Sequence, residues 1–191
     1  PAGTVEKRWQ SLAIRISTLG YALPGSVLAV GIILSFTFLD QAIIGVVQNV
    51  FGLSIRPLLV GSLFALVLAY STRFMAVAFA PVEAGFERIN PKVIEAAKSL
   101  GASPARLLHQ IYIPLLKPGL LTALIIVFVD VMKEMPATLI MRPFGWDTLA
   151  VRIYQMTAEG QWERAALPSV TLILLGLIPV FLLVRSSRPS K

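Results

Sequence analysis

The chain has 191 residues, of which 56% are hydrophobic and 14% charged, with a mean hydropathy of +0.77. A water-soluble domain averages about 25% charged residues, so a charged shell around a soluble core is excluded. Cysteine is absent and His109 is the one histidine, which excludes a disulfide framework, a thiolate metal site and a histidine zinc cluster.

The chain opens at Pro1, and Glu6, Lys7, Arg8 and Trp9 lack the pattern of a signal peptide. We expect a piece of a longer polypeptide, with residues 1–20 as a cytoplasmic flank. A helical span needs roughly 20 apolar residues to cross a bilayer core of about 30 Å. Four stretches meet that length: 21–39, 58–80 with Arg73 inside, 119–141 with Asp130, Lys133 and Glu134 inside, and 165–184. Pro24, Pro168 and Pro179 fall in or near spans, where neighbouring helices can satisfy the freed carbonyls. The expected fold is therefore an all-α polytopic membrane bundle, ending in a short tail at 186–191.

Asp40 and Arg56 are the charges expected between the first two spans. With four crossings, the N-terminal flank, the connection between the second and third spans, and the C-terminus share one side. That side carries eleven basic residues against four on the other, from the 17 in the chain, with Arg73 and Lys133 inside spans. Lys and Arg mark the cytoplasmic side of membrane proteins, which predicts both termini inside. The net charge of +7 is thereby accounted for. Nucleic-acid binding would instead need a basic face interleaved with aromatics.

The connection at 83–118 carries the densest local signals. Asn90 is a good N-cap and Pro91 suits the first helical position. Gly101 suits the left-handed position that ends a helix, and Ser103-Pro104 repeats the start signal. A second short helix is expected to run to about Ile111 and stop at Pro114 and Pro118. Val93, Ile94, Ala97 and Leu100 form one apolar stripe; Leu107, Leu108 and Ile111 form another. Such stripes fit either a connector packed on its own spans or a docking element. Glu95 complements the helix dipole or pairs with Lys98, or else touches a partner.

In the third span, Asp130, Lys133 and Glu134 stand at i, i+3 and i+4 and are expected on one helix face. An Asp or Lys at a span centre costs roughly 2.5–3.5 kcal/mol, so these side chains must face protein, water or the interface. Asp130 lies roughly 17 Å along a helix counted from Gly119, past the middle toward the outer side. The readings are a polar lining or gate of a path, a helix brace, or direct substrate contact. Arg73 is expected to snorkel to the interface or pair with a carboxylate.

Glu95-Ala96-Ala97, three residues, Gly101, nine residues, Ile111, one residue, Ile113 and Pro114 resemble the EAA loop of ATP-binding-cassette importer permeases. That family has leucine where Ile113 stands. Further along the chain, Ala22-Leu23-Pro24-Gly25-Ser26-Val27-Leu28-Ala29, Arg73 to Phe79, Asp130 to Leu139, Arg142-Pro143-Phe144 and Asp147 to Val151 extend the resemblance. Together they resemble the C-terminal half of ferric-iron permeases, the class with two fused repeats.

The resemblance implies a type I importer permease of the bacterial inner membrane, with no catalytic residues, no resident metal and no cofactor of its own. ATP and magnesium would sit on a partner ATPase dimer docked at Glu95, Ala96, Ala97, Gly101, Ile111 and Pro114. A periplasmic binding protein, the other permease repeat and the lipid bilayer are the remaining implied partners; nucleic acid is not one. Ferric iron is the implied substrate, with thiamine, sulfate or polyamine carried by relatives of the same scaffold. Asp130, Lys133 and Glu134 are the candidate path or gating residues. No Gly-x-x-x-x-Gly-Lys-Ser/Thr phosphate loop occurs in the sequence. The alternatives from other classes are an intramembrane enzyme, which needs convergent groups on facing spans, and a passive channel subunit.

Overall fold

The computed structural model describes residues 19–186. The basic residues Lys7, Arg8, Arg15, Arg188 and Lys191, on which part of the orientation argument rests, lie outside the described residues. Within them the structure is helical: α1 (Gly25–Phe51), α2 (Leu63–Glu87), α3 (Pro91–Ser99), α4 (Pro104–Leu107), a π-helical turn (Leu108–Tyr112), α5 (Ile113–Lys133), α6 (Pro136–Met141), α7 (Leu149–Ala158) and α8 (Trp162–Ser186). Four helical stretches are long and apolar enough to cross a membrane: Gly25–Phe51, Leu63–Glu87, Pro104–Lys133 and Trp162–Phe181.

The helix carrying the first apolar stretch runs well past the expected end at residue 39, to Phe51, where Gly52 at φ +66° terminates it. Asp40, expected in a loop, instead sits inside α1 and is buried at 2% exposure. Its carboxylate accepts the backbone N–H groups of Leu58, Leu59 and Val60 at 2.9–3.1 Å. Those residues form the turn before α2, so α2 starts at Leu63 rather than at 58. Ser62 caps it, accepting the Ala65 N–H at 3.1 Å while donating its hydroxyl to the Leu59 carbonyl at 2.6 Å.

Pro114 and Pro118 do not stop the second connecting helix. Pro114 falls in the first turn of α5, where a missing N–H leaves little unsatisfied, and Pro118 is absorbed within the helix. The π turn carries the chain from α4 into α5, with the Ile113 N–H donating to the Leu108 carbonyl. One helical rod therefore extends from Pro104 to Lys133.

α2 and α5 pack lengthwise against each other; α8 flanks α5, and α1 flanks α2, with α6 lodged beside α1 and α2. Small residues let the backbones approach. Ala29, Ala65, Ala69 and Ala137 are each at most 2% exposed, and with Phe36, Leu66 and Met141 they form the core between α1, α2 and α6. At the α2–α5 crossing, a Cβ on Gly119 would stand 2.6 Å from the Pro81 carbonyl oxygen. The outer faces remain apolar and exposed, including Leu34, Phe38, Leu124, Leu167 and Ile173, as expected of surface that meets lipid or further protein.

Candidate functional site

Two places carry the residues singled out in the sequence. The first is the connection between α2 and α5. Asn90 accepts the Lys92 N–H at 3.0 Å, and Pro91 occupies the first helical position of α3. Gly101 adopts φ +78°. Its N–H donates to the Lys98 carbonyl at 2.9 Å, and the Ala102 N–H reaches the Ala97 carbonyl at 3.0 Å. That pair of bonds is a Schellman ending, which satisfies the last carbonyls of α3 and turns the chain sharply. Ser103 then caps α4 through the Arg106 N–H at 3.3 Å, with Pro104 at its start.

The two apolar stripes meet different fates. In the second, Leu107 is buried at 6% and Ile111 is half-buried, and nearby the Phe86 and Tyr112 rings lie 6.1 Å apart. In the first, α3 buries none of its residues, and Val93 and Leu100 are 47% and 87% exposed. Glu95 and Ala96 are exposed and Ala97 is half-buried. Among the described residues the Glu95 carboxylate forms no ion pair with Lys98; Ser99 instead donates its hydroxyl to the Glu95 carbonyl at 3.0 Å. Pro114 is exposed.

The second place is the far end of α5. The expectation that Asp130, Lys133 and Glu134 share one helix face fails at Glu134. α5 ends at Lys133, and Glu134 is extended at φ −70°, ψ 113°. Its carboxylate therefore leaves the helix face, and the chain turns at Glu134 and Met135 before Pro136 starts α6. Asp130 Oδ1 pairs with Lys133 Nζ at 2.7 Å, one turn apart, with the lysine side chain 65% exposed. Glu134 is buried at 6% and turns the other way. Its Oε2 lies 3.1 Å from Arg73 Nε, and its Oε1 accepts the Ala137 N–H at 3.0 Å. Of the two options for Arg73, pairing with a carboxylate is the one realised.

The Arg73 Nε–H is not aligned for a hydrogen bond, so the contact with Glu134 is one of charge proximity. Nη1 of the same guanidinium donates to the Leu23 carbonyl at 2.9 Å. Thr138, fully buried, donates its hydroxyl to the Glu134 carbonyl at 2.8 Å and is hydrogen-bonded to the Tyr70 hydroxyl. The stretches around Leu23, Arg73 and Asp130–Leu139 are thus brought together in space. Neither Tyr70 nor Thr138 carries a sequence signal of its own for this contact, because a hydroxyl within a hydrophobic segment does not indicate its distant partner. Further along, Arg142 pairs with Asp147, and Thr148 caps α7, whose Ala150 and Val151 are buried.

A family model described as binding-protein-dependent transport system inner membrane component matches residues 2–189. The chain is similar to the Fe(3+)-transport system permease protein FbpB 2 of Haemophilus influenzae, 26% identical over 169 residues, covering 88% of this chain and 30% of that protein. It is 32% identical over 128 residues to PhnV of Salmonella typhimurium, a permease protein provisionally assigned to 2-aminoethylphosphonate transport, covering 67% of this chain and 48% of that protein. It is 27% identical over 176 residues to the molybdenum transport system permease protein ModB of Azotobacter vinelandii, covering 91% of this chain and 76% of that protein. The chain thus spans less than half the length of the first two relatives.

Proposed function

The chain belongs to the family of inner-membrane components of binding-protein-dependent transport systems, and on that premise we propose that it forms part of the permease of an ATP-driven importer. ATP hydrolysis falls to a separate cytoplasmic ATPase dimer, and a periplasmic protein delivers the solute. The observation that carries this reading is the exposed α3–Gly101–α4 turn. α3 has no fully buried residue and leaves Val93 and Leu100 of its apolar stripe exposed, with Ile94 and Ala97 half-buried. Its ends are capped, which favours a protruding knob over a connector laid on the spans. Exposed Ala96 and half-buried Ala97 add little bulk, so a partner surface can approach closely.

Beyond the turn, the unbroken rod from Pro104 to Lys133 offers a mechanical path. Displacement of the knob moves the far end of α5, where Asp130, Lys133 and Glu134 stand. Alternating access of this kind needs elements with two discrete packings. We assign those three residues to the translocation path or its gate, with the α2–α5 connection and both termini on the cytoplasmic side.

Ferric iron is the substrate carried forward, supported by the similarity to FbpB 2 along 88% of this chain. A second reading, an oxyanion such as a phosphonate, is favoured by the 2-aminoethylphosphonate in the name of PhnV and by the half-buried guanidinium of Arg73. Asp130 and Glu134 are each paired with a cation, Lys133 and Arg73, which argues against their forming a shared iron site.

Co-purification of the full-length protein with its ATPase tests the proposal, comparing wild type with Glu95→Ala plus Gly101→Val. We expect the ATPase to be retained by wild type and lost from the variant. An intramembrane enzyme or a passive channel predicts no ATPase with either, and that result would remove the importer reading.

A further inference from the structure

Two helix discontinuities, remote in sequence, meet at one ion pair between half-buried Arg73 and buried Glu134. The first lies at Leu23 and Pro24, between helical residues 19–22 and α1; the second lies at Glu134 and Met135, between α5 and α6. A break in a membrane helix frees backbone groups that must find partners, since lipid offers none. Arg73, midway along α2, supplies one partner through the bond from Nη1 to the Leu23 carbonyl. Glu134 supplies the other by accepting the Ala137 N–H at the start of α6. The two side chains then join each other at 3.1 Å.

Gly25, the first residue of α1, closes against this pair. A Cβ there would stand 2.8 Å from Glu134 Oε1 and 3.0 Å from Arg73 Nη1. α1, α2, α5 and α6 are therefore all tied at a single point. For stability alone this is a poor choice. Well-packed apolar residues often match or exceed a buried ion pair, because two charges must first be stripped of water. The misaligned Nε–H weakens the pair further. Such a contact makes physical sense where it has to open and re-form.

We propose that Arg73 and Glu134 are positioning residues, the clasp of a joint that holds α6 and residues 19–22 against α2. Opening of that clasp is the step that changes access along the path. The inference rests on the importer reading and adds to it where the motion is received. The rod from Pro104 to Lys133 ends on the residue before Glu134, so a shift of the α3–α4 turn arrives directly at the clasp. α6 is small and buried on its Ala137 and Thr138 side, which lets it move as a unit between two packings.

The test uses the full-length protein reconstituted in liposomes with its ATPase and binding protein, as wild type, Glu134→Gln and Arg73→Lys. Uptake per assembled complex is expected to fall at least about tenfold in each variant, while ATP hydrolysis continues and stops responding to the loaded binding protein. A merely structural pair would lower uptake and hydrolysis together, in proportion to surviving complex. That result, or wild-type values for both activities, overturns the proposal.

Should neither variant assemble, Ala137→Cys in a parent otherwise free of cysteine decides. Ala137 is fully buried at the joint, so a water-soluble maleimide should label it slowly at rest and at least about tenfold faster during ATP turnover, as expected when a local opening exposes a buried site. Equal labelling in both conditions overturns the clasp. A wild-type complex that binds no ATPase and takes up no solute is a different failure, that of the importer reading itself.

Discussion

Leu59 donates its backbone N–H to both carboxylate oxygens of Asp40, at 3.0 Å to Oδ1 and 3.1 Å to Oδ2. With Leu58 on one oxygen and Val60 on the other, a single side chain from α1 holds the whole turn that launches α2. A hydrogen bond to an ionised acceptor contributes about 1.5–3 kcal/mol, and neighbouring bonds do not simply add. Asp40→Ala is expected to destabilise by on the order of 3 kcal/mol, and Asp40→Asn by less, since its side-chain oxygen still accepts. Denaturation of the full-length protein in mixed micelles measures both. Equal stability of the Ala variant and wild type would contradict the staple.

The α2–α5 crossing depends on Gly119. An added methyl would collide with the Pro81 carbonyl oxygen, and that oxygen belongs to backbone that cannot swing aside. Gly119→Ala should cost about 1–3 kcal/mol through overpacking. Gly31→Ala in α1 meets open space and should be neutral or stabilising by roughly 0.5–1 kcal/mol from helix propensity. The same unfolding measurement separates the two, and a reversed order would refute the close crossing.

Gly101 invites a graded test. A left-handed backbone costs a residue with a Cβ roughly 1–2 kcal/mol, less for asparagine. No atom lies within 4 Å of a Cβ built at Gly101, so the bundle itself should survive substitution. Gly101→Val is expected to abolish ATPase retention while the helices insert normally, with Gly101→Asn retaining most of it. Loss of insertion in the Val variant would mean that the turn serves folding rather than docking.

The three charges at the end of α5 should separate by size of effect. Lys133→Gln keeps a donor near Asp130 on an exposed side chain and should cost about 0–1 kcal/mol, as for surface pairs. Glu134→Ala strands the Arg73 guanidinium, whose side chain is only 17% exposed, and should cost about 3–5 kcal/mol. Micelle unfolding of both variants checks this; comparable losses would restore the view of one shared polar face.

Signals that act over three or four residues were legible in the sequence. Asn90 with Pro91, Gly101, and Ser103 with Pro104 mark start, stop and start in sequence and structure alike, because capping is a contest among neighbouring backbone groups. Helix ends differ from the sequence expectation where a charge or a proline resembles a boundary. Asp40 looked like the end of a span, yet three backbone N–H groups make its burial tolerable. Pro114 and Pro118 resemble stops in the sequence, yet the first turn of α5 takes up Pro114 and the helix continues through Pro118. Glu134 had a usable signal: it stands two residues before a helix-starting proline and three before the N–H that it accepts.

The membrane class, the four long apolar helices and the capped turn between the second and third of them follow from residue order alone. Those properties are sums over contiguous residues, through hydropathy and local hydrogen bonding. The packing of separate helices sets the rest: Arg73 meets Glu134 rather than the interface, Asp40 holds residues 58–60, and α3 leaves Val93 and Leu100 exposed. A buried charge takes whichever partner the packing of separate helices brings within reach, and that proximity is written nowhere in the order of neighbouring residues.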